Sequence, residues 1–373
     1  MKKGFLLRID HLKGALIVLT ALLISGCAST SMKIDPEELK DPGVYTNITA
    51  DSLELLYELD VYGGMPADPF TVKGDVLFIS DLSGRVYAYN LKNGERKGII
   101  NIKNSSVVSP PLVEGNTVTV AAVLKNRNTT DVLVYDFINN SSVATYSIED
   151  IGLHLFSIKN KPYLICRSGY LYEPGTENQY RLNKGITACY ADENFIITAG
   201  EGGKLSVTPS ENPAGVKEYK IANDIISAIS VKNGMIYTVS DDLYLRKTDQ
   251  ETGKITAERK LGTRSTAAPL VTDRKVIVTD LAGNVMIFAD EEDFPLISSQ
   301  LTGGLITVPP VITGESMIVL NHERKTDILE AAGLKKLFSF TSEGRFITRG
   351  LIYNGLFIAG TNKAAVQVFR IRE

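Results

Sequence analysis

The sequence predicts an all-β fold: an eight-bladed β-propeller of four-stranded antiparallel blades, with the ring closed by an N-terminal strand in the last blade. Three observations predict it. One pattern returns about every 40 residues from position 67 to the C-terminus. Each copy holds short runs rich in β-branched and aromatic residues, bounded by Gly, Asn and Asp. No helical period of useful length occurs after about residue 43.

The openings of the units align as "ADPFTVKGDVLFIS" from Ala67, "SPPLVEGNTVTVAA" from Ser109, "LHLFSIKNKPYLIC" from Leu153 and "TACYADENFIITAG" from Thr187. They continue with "SAISVKNGMIYTVS" from Ser227, "AAPLVTDRKVIVTD" from Ala267, "VPPVITGESMIVLN" from Val308 and "TRGLIYNGLFIAGT" from Thr348. Successive spacings are about 42, 44, 34, 40, 40, 41 and 40 residues. A fixed period near 40 with four short strands per unit is the mark of a propeller. The short third interval fits a trimmed hairpin around "SGYLYEPGTENQY". A count of seven would follow only if that unit were not a blade.

Runs such as "VLFIS", "MIYTVS" and "VIVTD" are continuously apolar and do not alternate. That suits strands covered on both faces by neighbouring blades. The last unit, residues 347–371, has room for three strands, and "SLELLYELDV" from Ser52 precedes the first full repeat without a partner. Supplied as the fourth strand of the last blade, it removes a free sheet edge.

The chain has 373 residues, 40 Lys plus Arg against 43 Asp plus Glu, and a net charge of −3. That balance argues against a nucleic-acid binder, which carries a basic face. The first residues have a basic start (Lys2, Lys3, Arg8, Lys13), an apolar run from Gly14 to Ile24, then small residues. This is the layout of a secretory signal peptide, and the run is too short for a permanent membrane span. Residues 1–26 read as the signal, 27–43 as a polar tether and 44–373 as one propeller domain. "PEELK" within the tether has the makings of a single helical turn. Cleavage leaves a mature chain near −6 with only His154 and His322 as histidines.

Ile24-Ser25-Gly26-Cys27 resembles the bacterial lipobox. The resemblance implies that Cys27 is acylated and becomes the mature N-terminus, anchored by its acyl chains. Ala28 follows where an aspartate would resemble the inner-membrane retention signal, so the implied destination is the outer membrane, facing the periplasm. "DLSGRVYAYNLKNGE" from Asp81, "DDLYLRKTDQETGK" from Asp241 and "DLAGNVMIFADEED" from Asp280 resemble the repeat of pyrroloquinoline-quinone-type propellers. Joined to the lipobox, the chain resembles the BamB family of lipoproteins. That family implies an eight-bladed scaffold that binds periplasmic domains of the outer-membrane β-barrel assembly machinery and assists insertion of β-barrel proteins. The chain departs from the repeat in one respect. The docking tryptophan would fall near Gly98 and Ala257, and the sequence contains no tryptophan.

The same departure argues against quinone chemistry, which as the resemblance implies uses a tryptophan floor and often a Cys-Cys pair. The chain is therefore expected to be no enzyme, to use no cofactor and to hold no metal. Cys166, Cys189, His154 and His322 have no ligand spacing. Asp241 and Asp242 form the one conceivable calcium pair, but acidic turn residues are ordinarily solvated. Glu291, Glu292 and Asp293 read as a polar hairpin tip. Cys166 and Cys189 are an even pair able to form a disulfide in an oxidising compartment, although two buried thiols are the plainer reading.

The first function class is thus a lipid-tethered scaffold, a monomeric subunit of a hetero-complex with the β-barrel assembly proteins or another envelope complex. The second is a propeller binding a small ligand in its channel, and the third an envelope enzyme. The long loop "LKNRNTTD" from Leu124 and the trimmed third unit are the expected contact points, since loops carry contacts in such folds.

Overall fold

The computed structural model describes residues 30–41 and 48–373. Among these the chain forms eight antiparallel sheets, each with at least four strands. Seven follow one another from Phe70 to Thr341. The eighth joins Leu351–Tyr353, Leu356–Thr361 and Ala365–Arg372 to Ser52–Asp60. That N-terminal strand pairs in register from Ser52 opposite Arg372 to Asp60 opposite Ala365, with a bulge between Leu55 and Tyr57. The ring closes as the sequence predicts.

Eight hydrophobic clusters lie between the blades, one at each interface. Val86, Phe78 and Phe137 join blades 1 and 2, and Val278, Tyr237 and Phe294 join blades 5 and 6. The second strands Val76–Ser80 and Ser316–Leu320 are buried at every position. Each such sheet is packed on both faces, which explains their unbroken apolar runs. Phe, Tyr, Ile and Val fill the interfaces without tryptophan, as volume and pattern permit.

A repeated turn joins the second and third strands. Asp81 Oδ1 accepts hydrogen bonds from the N–H groups of Ser83 and Arg85, both at 2.8 Å. Asp280 accepts from Ala282 and Asn284, and Asn321 from Glu323 and Lys325. These side chains are buried and satisfy the turn's own donors, the usual service of Asp and Asn in turns. Gly84, at φ +82°, is required there, since a Cβ would meet Ile102 O at 2.3 Å.

Hydroxyl groups also stitch inner strands to the next blade. Thr71 Oγ1 donates to Pro111 O at 2.6 Å and Thr187 Oγ1 to Ile226 O at 2.7 Å, and Ser230 Oγ donates to Pro269 O. In blade 2 the inner strand is broken into Ser105–Val107 and Leu112–Glu114, both paired with Thr117–Leu124. Pro110 and Pro111 lie in the break and have no N–H to give the ladder. Blade 3 is trimmed as expected, its two outer strands Tyr170–Tyr172 and Gln179–Arg181 being three residues each.

One expectation needs correction. Much of the stretch 27–43 is no free tether. Ser31–Met32 adds a fifth strand to blade 1, antiparallel to Arg96–Asn101. Pro36–Leu39 follows as a short 3-10 turn capped by Asp35. Met32, Ile34 and Leu39 are buried in the cluster between blades 1 and 2. Glu38 bonds Asn90 Nδ2 at 2.7 Å and pairs with Lys97 at 3.0 Å, and Asn140 Oδ1 accepts from Met32 N–H. The polar composition hid three apolar anchors. Burying each stabilises docking by roughly 1.5–3 kcal/mol before the cost of ordering the segment.

Candidate functional site

Cys27 and the signal segment 1–26 lie outside the described residues. The other residues singled out in the sequence do not converge. His154 sits on the inner strand of blade 3, stacked on Phe156 at 5.9 Å. Burial lowers its pKa, opposed by the charge of Asp68. His322 lies in the turn of blade 7, bonded through Nε2 to Thr307 Oγ1 at 2.8 Å. Its pKa is lowered by burial and by Arg345.

Cys166 and Cys189 are free thiols, on Lys161–Cys166 of blade 3 and Ile186–Ala191 of blade 4. Burial pushes Cys189 up to about 12 and raises Cys166 as well. Neither thiol is poised as a nucleophile, which needs a lowered pKa.

Asp241 and Asp242 are not available as a calcium pair, because each is held by a cation. Asp241 Oδ1 accepts from Arg264 Nε at 2.7 Å and from Ser227 Oγ at 2.6 Å. Asp242 faces the Arg246 guanidinium through two bonds of 2.9 and 2.8 Å. Burial alone would raise Asp242, but hydrogen bonds from Arg246, Ser240 and the Asn223 N–H outweigh it and hold the pKa at about 2. Among the described residues no group of three or more His, Cys, Asp or Glu is placed to hold a metal. Glu291, Glu292 and Asp293 are exposed at a hairpin tip, as expected.

Inner-strand residues enclose a cavity of about 240 Å³, lined by Tyr190, Ser230, Pro269, Pro309 and Arg349 among others. This is below the roughly 300–1,000 Å³ usual for small-molecule sites.

The outer wall is more informative. The fourth strands of blades 4 and 5 are charged, Lys217–Lys220 ("KEYK") and Ile255–Lys260 ("ITAERK"). The corresponding strand of blade 6, Leu296–Leu301 ("LISSQL"), carries no charge, and that of blade 7, Lys336–Thr341 ("KLFSFT"), carries one. Of ten exposed large hydrophobic residues among those described, seven fall on blades 6 to 8 or between them: Leu55, Leu296, Ile297, Leu301, Leu305, Leu337 and Phe338. Scattered apolar residues are ordinary on a protein surface, whereas a concentration on three consecutive blades makes this wall the candidate interaction face.

A groove of about 650 Å³ runs between blades 7 and 8 on this wall. Leu53, Leu55, Phe338, Phe340 and Phe369 line it, with Glu58 and Glu343 also at its surface. Phe340 packs on Phe369 with ring centroids 5.5 Å apart. Gln367 is 4% exposed and donates to Glu58, while its Oε1 accepts no hydrogen bond. The groove thus offers apolar contact, and the outer strands beside it present open sheet edges.

The sequence points to loops as contact points; the apolar outer strands of blades 6 and 7 add a second candidate face. The signal was legible in "LISSQL" and "KLFSF", where fourth strands carry apolar residues at positions that are charged in blades 4 and 5.

No protein-family model matches the chain, and no curated protein sequence is similar to it. Solved structures are similar. BamB from Moraxella catarrhalis superposes with a TM-score of 0.68 at 16% identity, over 86% of this chain and all of that one. The computationally designed Ika8 protein gives 0.70 at 13% identity, over 86% of this chain and 100% of its own. The C-terminal WD40 domain of Sif2 gives 0.68 at 13% identity, over 86% of this chain and 99% of that domain. At these identities the likeness is one of fold. A natural BamB, a designed protein and a WD40 domain share this architecture, and the eight sheets give its count: the chain is an eight-bladed β-propeller.

Proposed function

We propose that the protein is a non-enzymatic scaffold that docks partner proteins on the outer wall of blades 6 to 8. The observation that carries this is the concentration of exposed Leu, Ile and Phe on blades 6 to 8, beside the charged outer strands of blades 4 and 5. Acylation of Cys27 would tether the scaffold to the outer membrane on its periplasmic side. The fold shared with BamB and the lipobox-like segment support a role in assembling β-barrel proteins in that membrane. Partners would then be periplasmic domains of the assembly machinery, with the propeller as a monomeric subunit of a hetero-complex. The small inner cavity and the engaged state of Asp241 and Asp242 favour this over a ligand-binding or enzymatic role.

The test is co-purification from detergent-solubilised membranes. Leu301→Asp with Phe338→Asp should lose the barrel-forming assembly subunit at least tenfold, while Lys217→Asp should retain it. Equal recovery with all three substitutions would refute the docking wall.

A further inference from the structure

The docked N-terminal segment has a consequence for orientation, which rests on the proposed acylation of Cys27. A free stretch from residue 27 to residue 43 would let the propeller stand about 55 Å from its anchor. The chain is instead fastened far earlier. Thr30 Oγ1 accepts from the Asn101 N–H at 3.2 Å, and Ser31 and Met32 pair with Ile99 and Gly98. Only three peptide steps separate Cys27 from Thr30, a reach of about 11 Å. A leash of this length does not let the ring turn over.

The direction of the leash is also set. Antiparallel pairing carries the chain, read from Met32 back to Thr30, toward the Asn101 end of its partner strand. At that rim Lys103, Asn104, Leu124, Lys125, Asn126 and Arg127 line a hollow of about 520 Å³. Three of the six are cationic and none is acidic. The long loop that starts at Leu124 supplies two of the cations. Basic groups held close to a membrane surface are attracted to anionic headgroups.

We infer that the propeller is held edge-on, with the rim of blades 1 and 2 against the bilayer and Lys103, Lys125 and Arg127 facing lipid phosphates. Blades 4 to 6 then point away from the membrane. The loop that starts at Leu124, held to the propeller through the Lys125 N–H on Asn104 O, acquires a role as a membrane contact.

The test uses the full-length acylated protein in vesicles of phosphatidylethanolamine and phosphatidylglycerol carrying a headgroup nitroxide lipid. A fluorophore is placed on Asn128→Cys at the rim or on Glu251→Cys in blade 5, both exposed positions. Cys166 is buried and Cys189 half-buried, so both are replaced by alanine in each labelled protein. The Asn128 fluorophore should be quenched at least threefold more than the Glu251 fluorophore. Insertion of twenty Gly/Ser residues between Ala28 and Ser29 should erase the difference. Lys125→Glu with Arg127→Glu should reduce it in anionic vesicles. Equal quenching at the two positions in vesicle-bound native protein would overturn the orientation alone. A protein that does not sediment with vesicles would overturn the anchor, and the orientation with it.

Discussion

Met32 lies directly over Gly98: a Cβ built on Gly98 would sit 2.3 Å from Met32 Cα and 2.4 Å from Ser31 O. Gly98 stands near the position where the resemblance to pyrroloquinoline-quinone-type repeats would put a tryptophan. A bare backbone there makes room for the chain's own N-terminal strand, and Met32 fills the cluster between blades 1 and 2 instead.

Gly98→Val is therefore expected to expel Ser31–Met32, because the obstacle is backbone and has no rotamer to yield. Overpacking of this kind costs about 1–3 kcal/mol. Thermal melting should show the loss, and limited proteolysis should cleave between residues 31 and 40 in the variant only. Native-like protection of that segment would contradict the packing described.

Ring closure is tested by two leucines on one strand. Leu59 is 2% exposed within the cluster between blades 8 and 1, whereas Leu55 is 48% exposed. Leu59→Ala should cost about 2–5 kcal/mol and Leu55→Ala less than about 0.5 kcal/mol, by urea denaturation. Similar costs would mean that Ser52–Asp60 is not clamped as described.

Asp242 makes an acid-sensitive contribution. Its folded pKa of about 2 lies below the ordinary 3.8, so the stabilisation is present in full above about pH 4 and is lost as pH falls through 2. A shift of this size corresponds to on the order of 2 kcal/mol. Asp242→Asn should flatten stability between pH 4 and pH 2, at lower overall stability because Arg246 stays charged and buried. A variant with the native acid profile would show that another group carries it.

Thiol chemistry distinguishes two readings of Cys166 and Cys189. Both are free and raised in pKa by burial. Periplasmically exported protein should react negligibly with a chromogenic disulfide reagent at pH 8 while folded, and should titrate both thiols after denaturation. Absence of both thiols after denaturation would indicate that they pair.

The repeat and ring closure were legible because inner strands covered on two faces must be continuously apolar, and because "SLELLYELDV" had no other partner. Docking of residues 30–40 was not legible. Met32, Ile34 and Leu39 are separated by charged residues, and their burial depends on the empty space above Gly98, which only the fold creates. The exposed apolar wall was hidden for a similar reason. Leu296 and Phe338 look like ordinary strand residues until the fold places their strands on the outside of the ring. Asp241 and Asp242 looked like solvated turn residues, yet Arg264 and Arg246 reach them from 23 and 4 positions away.

The central claim is that partners dock on the wall of blades 6 to 8. Its most direct test is a photo-crosslinking amino acid placed in living cells at Leu301 and Phe338, with Lys217 and Glu258 as controls, followed by mass spectrometry. The account predicts capture of the barrel-forming assembly subunit from Leu301 and Phe338 and none from the two controls. Capture of that subunit from Lys217 or Glu258, with Leu301 and Phe338 silent, would contradict it.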